Sequence, residues 1–250
     1  MSTNLFELYG SGVFTTIAID AGEPFQWESH WRRLSTNADA IGVDLSKHSE
    51  STTRSSLLVA IVEHQLSDGR ARITFSDQRS SPLWSIVPPA RETSLNVLVG
   101  QRRAVPQSFR LTISPYTVNS RSPLAGIKSC NYLENVLILD EAKKRGFNEA
   151  VRMNENGHVT SAAMANLFWL KDGELYTPSL ATGCLAGTTR EYILENLDCR
   201  EVEVGIDELQ KADAIFLTSA GLGVVEVAEF ESHQLVPSSH PIKNILPWAS

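Results

Sequence analysis

Leu124-Ala125-Gly126-Ile127-Lys128-Ser129-Cys130-Asn131-Tyr132-Leu133 places a single lysine behind an apolar approach, with no carboxylate before Glu134. A poorly solvated amine without a counter-charge loses its proton more readily than a surface lysine, and a neutral lysine is what Schiff-base chemistry needs. Lys128 is therefore the first candidate for covalent chemistry. An isolated lysine of this kind also fits an element boundary with its head in water, so the reading depends on what surrounds it. Downstream, Leu133, Val136, Leu137, Asp140 and Lys144 recur at helical spacing over 131–146, and Gly146 supplies a stop. A short strand, an Asn156-Gly157 turn, a buried strand over 166–170, an Asp172-Gly173 hairpin turn and a return strand over 174–178 follow. Gly183-Cys184-Leu185-Ala186-Gly187-Thr188-Thr189-Arg190 then opens a helix over 191–197, and free amides with two threonine hydroxyls at a helix start suit a phosphate.

Upstream, the pattern reads as strands with two helices. Residues 13–19 alternate into a strand, with 23–27 as its return partner. Trp31, Leu34, Ala38 and Ile41 share one helical face, and a second helix over 52–66 turns Leu57, Leu58, Ile61 and Val62 inward. Strands are expected at 71–76, 83–87, 95–99 and 109–114, and near the end of the chain at 214–219 and 224–230. Hairpin-like succession predicts an antiparallel sheet with helices packed on it. The domain reading is a smaller α+β lobe over 1–114, an interlobe linker over 115–125 and a larger α/β lobe over 126–250.

The 250 residues are enough for one large or two small domains with a sizeable core. A net charge of −7, with no basic run, argues against a nucleic-acid surface. Three cysteines, Cys130, Cys184 and Cys199, show no metal-ligand spacing, and the six histidines are scattered, so no metal is expected. An odd cysteine count points to a reducing, cytoplasmic compartment. The start of the chain has no basic, apolar leader, and no apolar run is long enough to span a bilayer.

From Gly126 through Leu197 the chain resembles the fold type IV pyridoxal-phosphate enzymes, which include branched-chain and D-amino-acid aminotransferases and aminodeoxychorismate lyase. The resemblance continues in Tyr9-Gly10-Ser11-Gly12-Val13-Phe14-Thr15-Thr16 and in His30-Trp31-Arg32-Arg33-Leu34. It implies a two-lobed architecture like that of D-amino-acid aminotransferase, with pyridoxal 5'-phosphate held as an internal aldimine on Lys128. Arg33, selected over Arg32 by the His-x-x-Arg-Leu spacing, matches the family's phosphate-binding arginine. Thr188 and Thr189 match the phosphate end, Leu185 the apolar residue against the pyridine ring, and Ser219 with Ala220 a second phosphate-contacting turn. Tyr132 matches a tyrosine near the cofactor's phenolic oxygen, although a core tyrosine would read the same. Tyr9, Phe14 and Thr16 fall where the family binds substrate. Asn119 and Arg121, just before Lys128, could bind a substrate carboxylate or form an exposed polar linker. The family is typically a homodimer acting on a small-molecule substrate, and its usual first strand is short or missing before Tyr9.

One position departs from the pattern. Where the family places a glutamate on the pyridine nitrogen, Gly157-His158-Val159-Thr160-Ser161 ends on a serine. A hydroxyl can bond a neutral ring nitrogen but does not hold a proton there as a carboxylate does. A weaker electron sink favours a reaction drawn forward by aromatisation over transamination. Leu124-Ala125-Gly126-Ile127-Lys128, Ala165-Asn166-Leu167-Phe168-Trp169 and Phe14-Thr15-Thr16 also look more like aminodeoxychorismate lyases than aminotransferases. The expected activity is release of pyruvate and 4-aminobenzoate, a step toward folate, from 4-amino-4-deoxychorismate. The alternatives are an aminotransferase of branched-chain or D-amino acids and, on Ser161, a homologue without catalysis.

Overall fold

The structure is a computed structural model that describes residues 4–81, 92–102 and 104–248. The chain folds as two compact units, Met1–Arg102 with Ile127–Tyr132, and Arg103–Gly126 with Leu133–Ser250.

The first unit contains α1 (Leu5–Tyr9), β1 (Gly12–Asp20), β2 (Glu23–Pro24), α2 (Trp27–Ala40), α3 (Glu50–Glu63), β3 (Gly69–Asp77) and β4 (Thr93–Gly100). The strands form one antiparallel sheet in the order β2-β1-β3-β4. Alternation turns Val13, Ile17 and Ile19 of β1 and Ala71, Ile73 and Phe75 of β3 to one face, where they meet Leu34 and Ala38 of α2 and Leu57 and Ile61 of α3. Burying each such aliphatic side chain contributes about 1.5–3 kcal/mol. α3 starts at a capping box in which Ser49 and Thr52 satisfy each other's backbone N–H groups. Val62 does not turn inward as its spacing suggested; it is 74% exposed, because Leu57 and Ile61 already fill the face toward the sheet. The expected return strand over 23–27 is only two residues long, and Trp27 begins α2 instead. The strand expected at 83–87 lies outside the described residues. The chain runs into β1 from the short helix α1, capped by the Asn4 side chain.

The second unit contains β5 (Arg110–Val118), α4 (Leu133–Lys144), β6 (Glu149–Asn154), β7 (Val159–Ala162), β8 (Asn166–Lys171), β9 (Glu174–Pro178), α5 (Thr188–Asn196), β10 (Arg200–Val202), α6 (Ile206–Gln210), β11 (Ala214–Ser219), β12 (Gly223–Glu226), β13 (Glu229–Phe230) and β14 (His233–Gln234). Two five-stranded mixed sheets form, ordered β10-β9-β8-β11-β12 and β14-β13-β5-β6-β7. The run Leu167-Phe168-Trp169-Leu170 is apolar on both faces because β8 is central. Leu167 and Trp169 join Leu111, Val151 and Ile215 in one core cluster, while Phe168 and Leu170 join Ile193 of α5 and Phe216 in another.

Two expectations change in this unit. The segment 110–118 is a strand paired with β6, whereas 127–132 belongs to the first unit, so neither the 114 boundary nor a linker over 115–125 follows the observed division. The stretch 224–230 is two strands in different sheets. On α4 the buried residues are Ile138, Leu139 and Ala142, which pack with Ala150 and Ala163; Leu133, Val136 and Leu137 are exposed at 63%, 40% and 55%.

Candidate active site

The β1 edge away from β3, beyond the short pairing with β2, is occupied at Gly12 and Phe14 by the lysine segment itself. Phe14 donates its N–H to Lys128 O at 3.0 Å, and Cys130 N–H donates to Gly12 O at 2.8 Å. Gly12 cannot carry a side chain here, since a Cβ would lie 2.7 Å from Phe75 O. The backbone of Lys128 is thereby fixed to a strand, which suits a group that must meet a reacting atom.

The Lys128 ammonium lies 4.6 Å from the Phe14 ring centre and 5.0 Å from that of Tyr132, and the two rings meet edge to face at 5.1 Å. Among the described residues no carboxylate pairs with it. Burial, followed by the positive charges of Arg33 and Arg72, lowers its pKa from 10.5 to about 7. Near neutral pH a large share of Lys128 is therefore the free amine, both nucleophile and proton acceptor.

Arg33 is held from beneath. Its Nη2 donates to Thr15 Oγ1 at 2.7 Å, and Thr15 Oγ1 lies 2.7 Å from His30 Nδ1. His30 is buried, and its burial with Arg33 and Lys128 nearby holds its pKa well below the usual imidazole value. A neutral His30 shares one hydrogen bond with the Thr15 hydroxyl, whose oxygen also accepts from Arg33. Arg32 is exposed and donates to Ser29 Oγ at 3.3 Å on its own helix. Arg72 was not anticipated. Its guanidinium carbon sits 3.5 Å above the Phe14 ring, on the same sheet face as Thr16, which it opposes across β1 and β3. Tyr9 is half-exposed at the end of α1.

In the second unit the helix start of α5 is prepared by an adjacent strand. The Asn166 side-chain amide donates to Leu185 O at 2.8 Å, and a Cβ on Gly187 would fall 1.9 Å from Asn166 Oδ1. Gly187 is the N-cap and provides no side-chain cap to the first turn of α5, which opens with Thr188 and Thr189. Both threonines are buried. Ser219 ends β11, where its Oγ accepts the Leu222 N–H at 3.2 Å around the turn that includes Ala220. The preceding Thr218 hydroxyl is fully buried with no hydrogen-bond partner. Ser161 is buried on β7 and accepts from Arg152 at 3.1 Å. Asn119 and Arg121 lie on an exposed turn in which Asn119 Oδ1 accepts the Arg121 N–H.

Residues 12–230 match the class IV amino-transferase family. The chain belongs to that family. It is 28% identical over 235 residues to an aminodeoxychorismate lyase of Bacillus subtilis, a likeness covering 90% of this chain and 79% of the relative. A branched-chain-amino-acid aminotransferase of Escherichia coli is 30% identical over 118 residues, covering 45% of this chain and 38% of that one. Among solved structures, 4-amino-4-deoxychorismate lyase from Pseudomonas aeruginosa superimposes with a TM-score of 0.79 at 27% identity, over 97% of this chain and 91% of that one. The fold is accordingly the fold type IV architecture of these enzymes.

One contributor is not evident from the sequence, whereas His30 already stands there at the head of the His-x-x-Arg-Leu motif. Arg72, in the alternating Arg70-Ala71-Arg72, reads as a solvated strand face. Among the described residues no cluster of side chains could hold a metal, and no helix is long and apolar enough to cross a membrane.

Proposed function

We propose that the protein is a pyridoxal-phosphate-dependent 4-amino-4-deoxychorismate lyase, releasing pyruvate and 4-aminobenzoate. The observation that carries the reading is Lys128, an amine without an ion pair whose pKa falls to about 7. The residues fit the cofactor. Arg33 and the uncapped α5 start provide charge and amides for a phosphate, and Lys128 provides the amine for its aldehyde. When bound, the cofactor supplies an electron sink for bonds beside the substrate nitrogen. In the proposed assignment Arg33, Thr188, Thr189, Ser219 and Ala220 bind phosphate, Leu185 and Tyr132 bound the ring, and Ser161 faces its nitrogen. Lys128 would take the proton from the substrate ring carbon whose deprotonation lets the enolpyruvyl group leave, and would return a proton to the departing group as it becomes pyruvate. Phe14 and Tyr132 cover the amine and limit its hydration, which keeps it basic but uncharged near neutrality. Tyr9, Thr16, Asn119 and Arg121 are proposed to orient the substrate.

Identity along the whole chain favours the lyase, at 28% over 90% of this chain against 23% over 91% for a D-alanine aminotransferase of Listeria innocua. An aminotransferase of branched-chain or D-amino acids is the second reading, supported by that match and by the shorter branched-chain one. The exposed row Leu133, Val136 and Leu137 on α4 supports a homodimer in which a second copy covers it. Three free thiols fit the cytoplasm. The deciding experiment assays 4-aminobenzoate and pyruvate from 4-amino-4-deoxychorismate beside amino transfer from L- and D-amino acids. Ordinary transamination rates with no 4-aminobenzoate would overturn the lyase reading. A protein that takes up no cofactor, and so stays colourless, would favour a homologue without catalysis.

A further inference from the structure

Arg152 and Ser161 are cross-strand partners. β6 and β7 are antiparallel with Arg152 opposite Ser161, so both side chains leave the same sheet face. Arg152 Nη2 donates to Ser161 Oγ at 3.1 Å, and Ser161 is only 4% exposed. An arginine offers only donors. The serine must therefore be the acceptor in this contact, and its own hydroxyl proton is left to point elsewhere. A guanidinium in contact with a buried hydroxyl also brings a permanent positive charge next to whatever that hydroxyl meets.

We propose that Arg152 is a positioning residue which, through Ser161, keeps the pyridine nitrogen of the bound cofactor unprotonated. The inference rests on the reading that places Ser161 at that nitrogen. Arg152 acts in two ways. It occupies a lone pair on Ser161 Oγ, orienting the hydroxyl as a donor to a neutral nitrogen, and its charge disfavours a second positive charge on the ring. The acidic group coupled to Arg152 is Glu149, on the same strand. Its carboxyl accepts the N–H groups of Ala150, Ala163 and Met164 at 3.0, 3.0 and 3.1 Å. Burial raises its pKa from 4.5 to about 7, so near neutrality it is partly protonated and offsets the arginine only weakly. One consequence is that a carboxylate placed at 161 would meet Arg152 first. Ser161→Glu alone should then form an ion pair and leave the ring largely as it was.

The test loads the full-length protein with pyridoxal 5'-phosphate carrying 15N at the ring nitrogen and reads that nucleus by NMR. Borohydride reduction and peptide mapping establish in parallel that the cofactor sits on Lys128. The wild type should show a pyridine-like nitrogen through the neutral range. Arg152→Gln should raise the nitrogen's pKa by about one unit or more, the size of effect expected from removing a nearby like charge. Arg152→Lys should retain the wild-type signal. Arg152→Gln combined with Ser161→Glu should protonate the ring, and Ser161→Glu alone should do so much less. An adduct on Lys128 with a pyridinium nitrogen in the wild type overturns the inference, as does an unchanged signal in Arg152→Gln. Should the variants not fold, the wild-type signal alone still decides. Absence of any adduct on Lys128 instead overturns the cofactor reading on which the inference rests.

Discussion

The Phe14 backbone N–H donates to the carbonyl oxygen of Lys128 at 3.0 Å, so Lys128 is registered against a buried strand rather than carried on a free loop. With the backbone pinned and the amine near neutrality, borohydride treatment of the loaded protein should place the cofactor adduct on the peptide containing Lys128. Mass analysis checks this. An adduct on another lysine would refute the assignment.

Arg33 and Arg32 are neighbours with different surroundings. Losing a charge-assisted contact to a phosphate is worth roughly 1.5–3 kcal/mol, about one to two decades in affinity. Arg33→Ala should need correspondingly more cofactor for saturation, while Arg32→Ala stays near the parent in the same titration. Equal effects would mean that the phosphate lies elsewhere.

The depressed pKa of Lys128 has burial as its first cause and Arg33 and Arg72 as its second and third. Replacing Arg72 with glutamine removes one positive neighbour and leaves most of the burial. The amine's pKa should rise above about 7 yet stay short of the ordinary 10.5. The pH dependence of amine labelling in cofactor-free protein reports it directly. A fall, or no movement, would show that Arg72 does not act on the lysine.

Glu149 gives a pH signature of stability. Its folded pKa of about 7 lies above the ordinary 4.5, so between those values the folded state binds more protons than the unfolded one. Stability from this group is therefore complete at low pH and is lost as pH rises through about 7. The loss is at most on the order of 3 kcal/mol. Glu149→Gln should flatten that part of the curve in urea unfolding followed across the window. An unchanged slope would assign the pH dependence to other groups.

Much of the fold was legible because its signals were redundant. The two-faced apolar runs of β8 and β11 sit at the centre of a sheet, where no alternation is required, and a turn with a glycine follows each. The buried face of α4 was not legible because its apolar residues run most of the way round. Spacing alone does not tell Leu133 and Leu137 from Ile138 and Ala142, and the contacts with Ala150 and Ala163 decide. In the candidate site, Lys128 and Arg33 stand out as candidates through their neighbours in sequence. Arg152 was not, because its partnership with Ser161 depends on strand register, and that register shifts at an irregularity between Arg152 and Met153. Arg72 stayed hidden for a related reason, as a charge on a strand looks solvated until the opposing Phe14 ring is seen.

With a phosphate held as proposed, the helix start at Gly187 would make loading and rigidity one event for this part of the chain. Nothing in the N-cap side chain closes the first turn of α5, and Asn166 leaves no room for a residue that would. The amide hydrogen of Thr189 should therefore exchange faster in cofactor-free protein than once a phosphate accepts it. Inorganic phosphate alone should recover part of that protection and raise the melting temperature. The polypeptide would then record, in its own exchange rates, whether its anion has arrived.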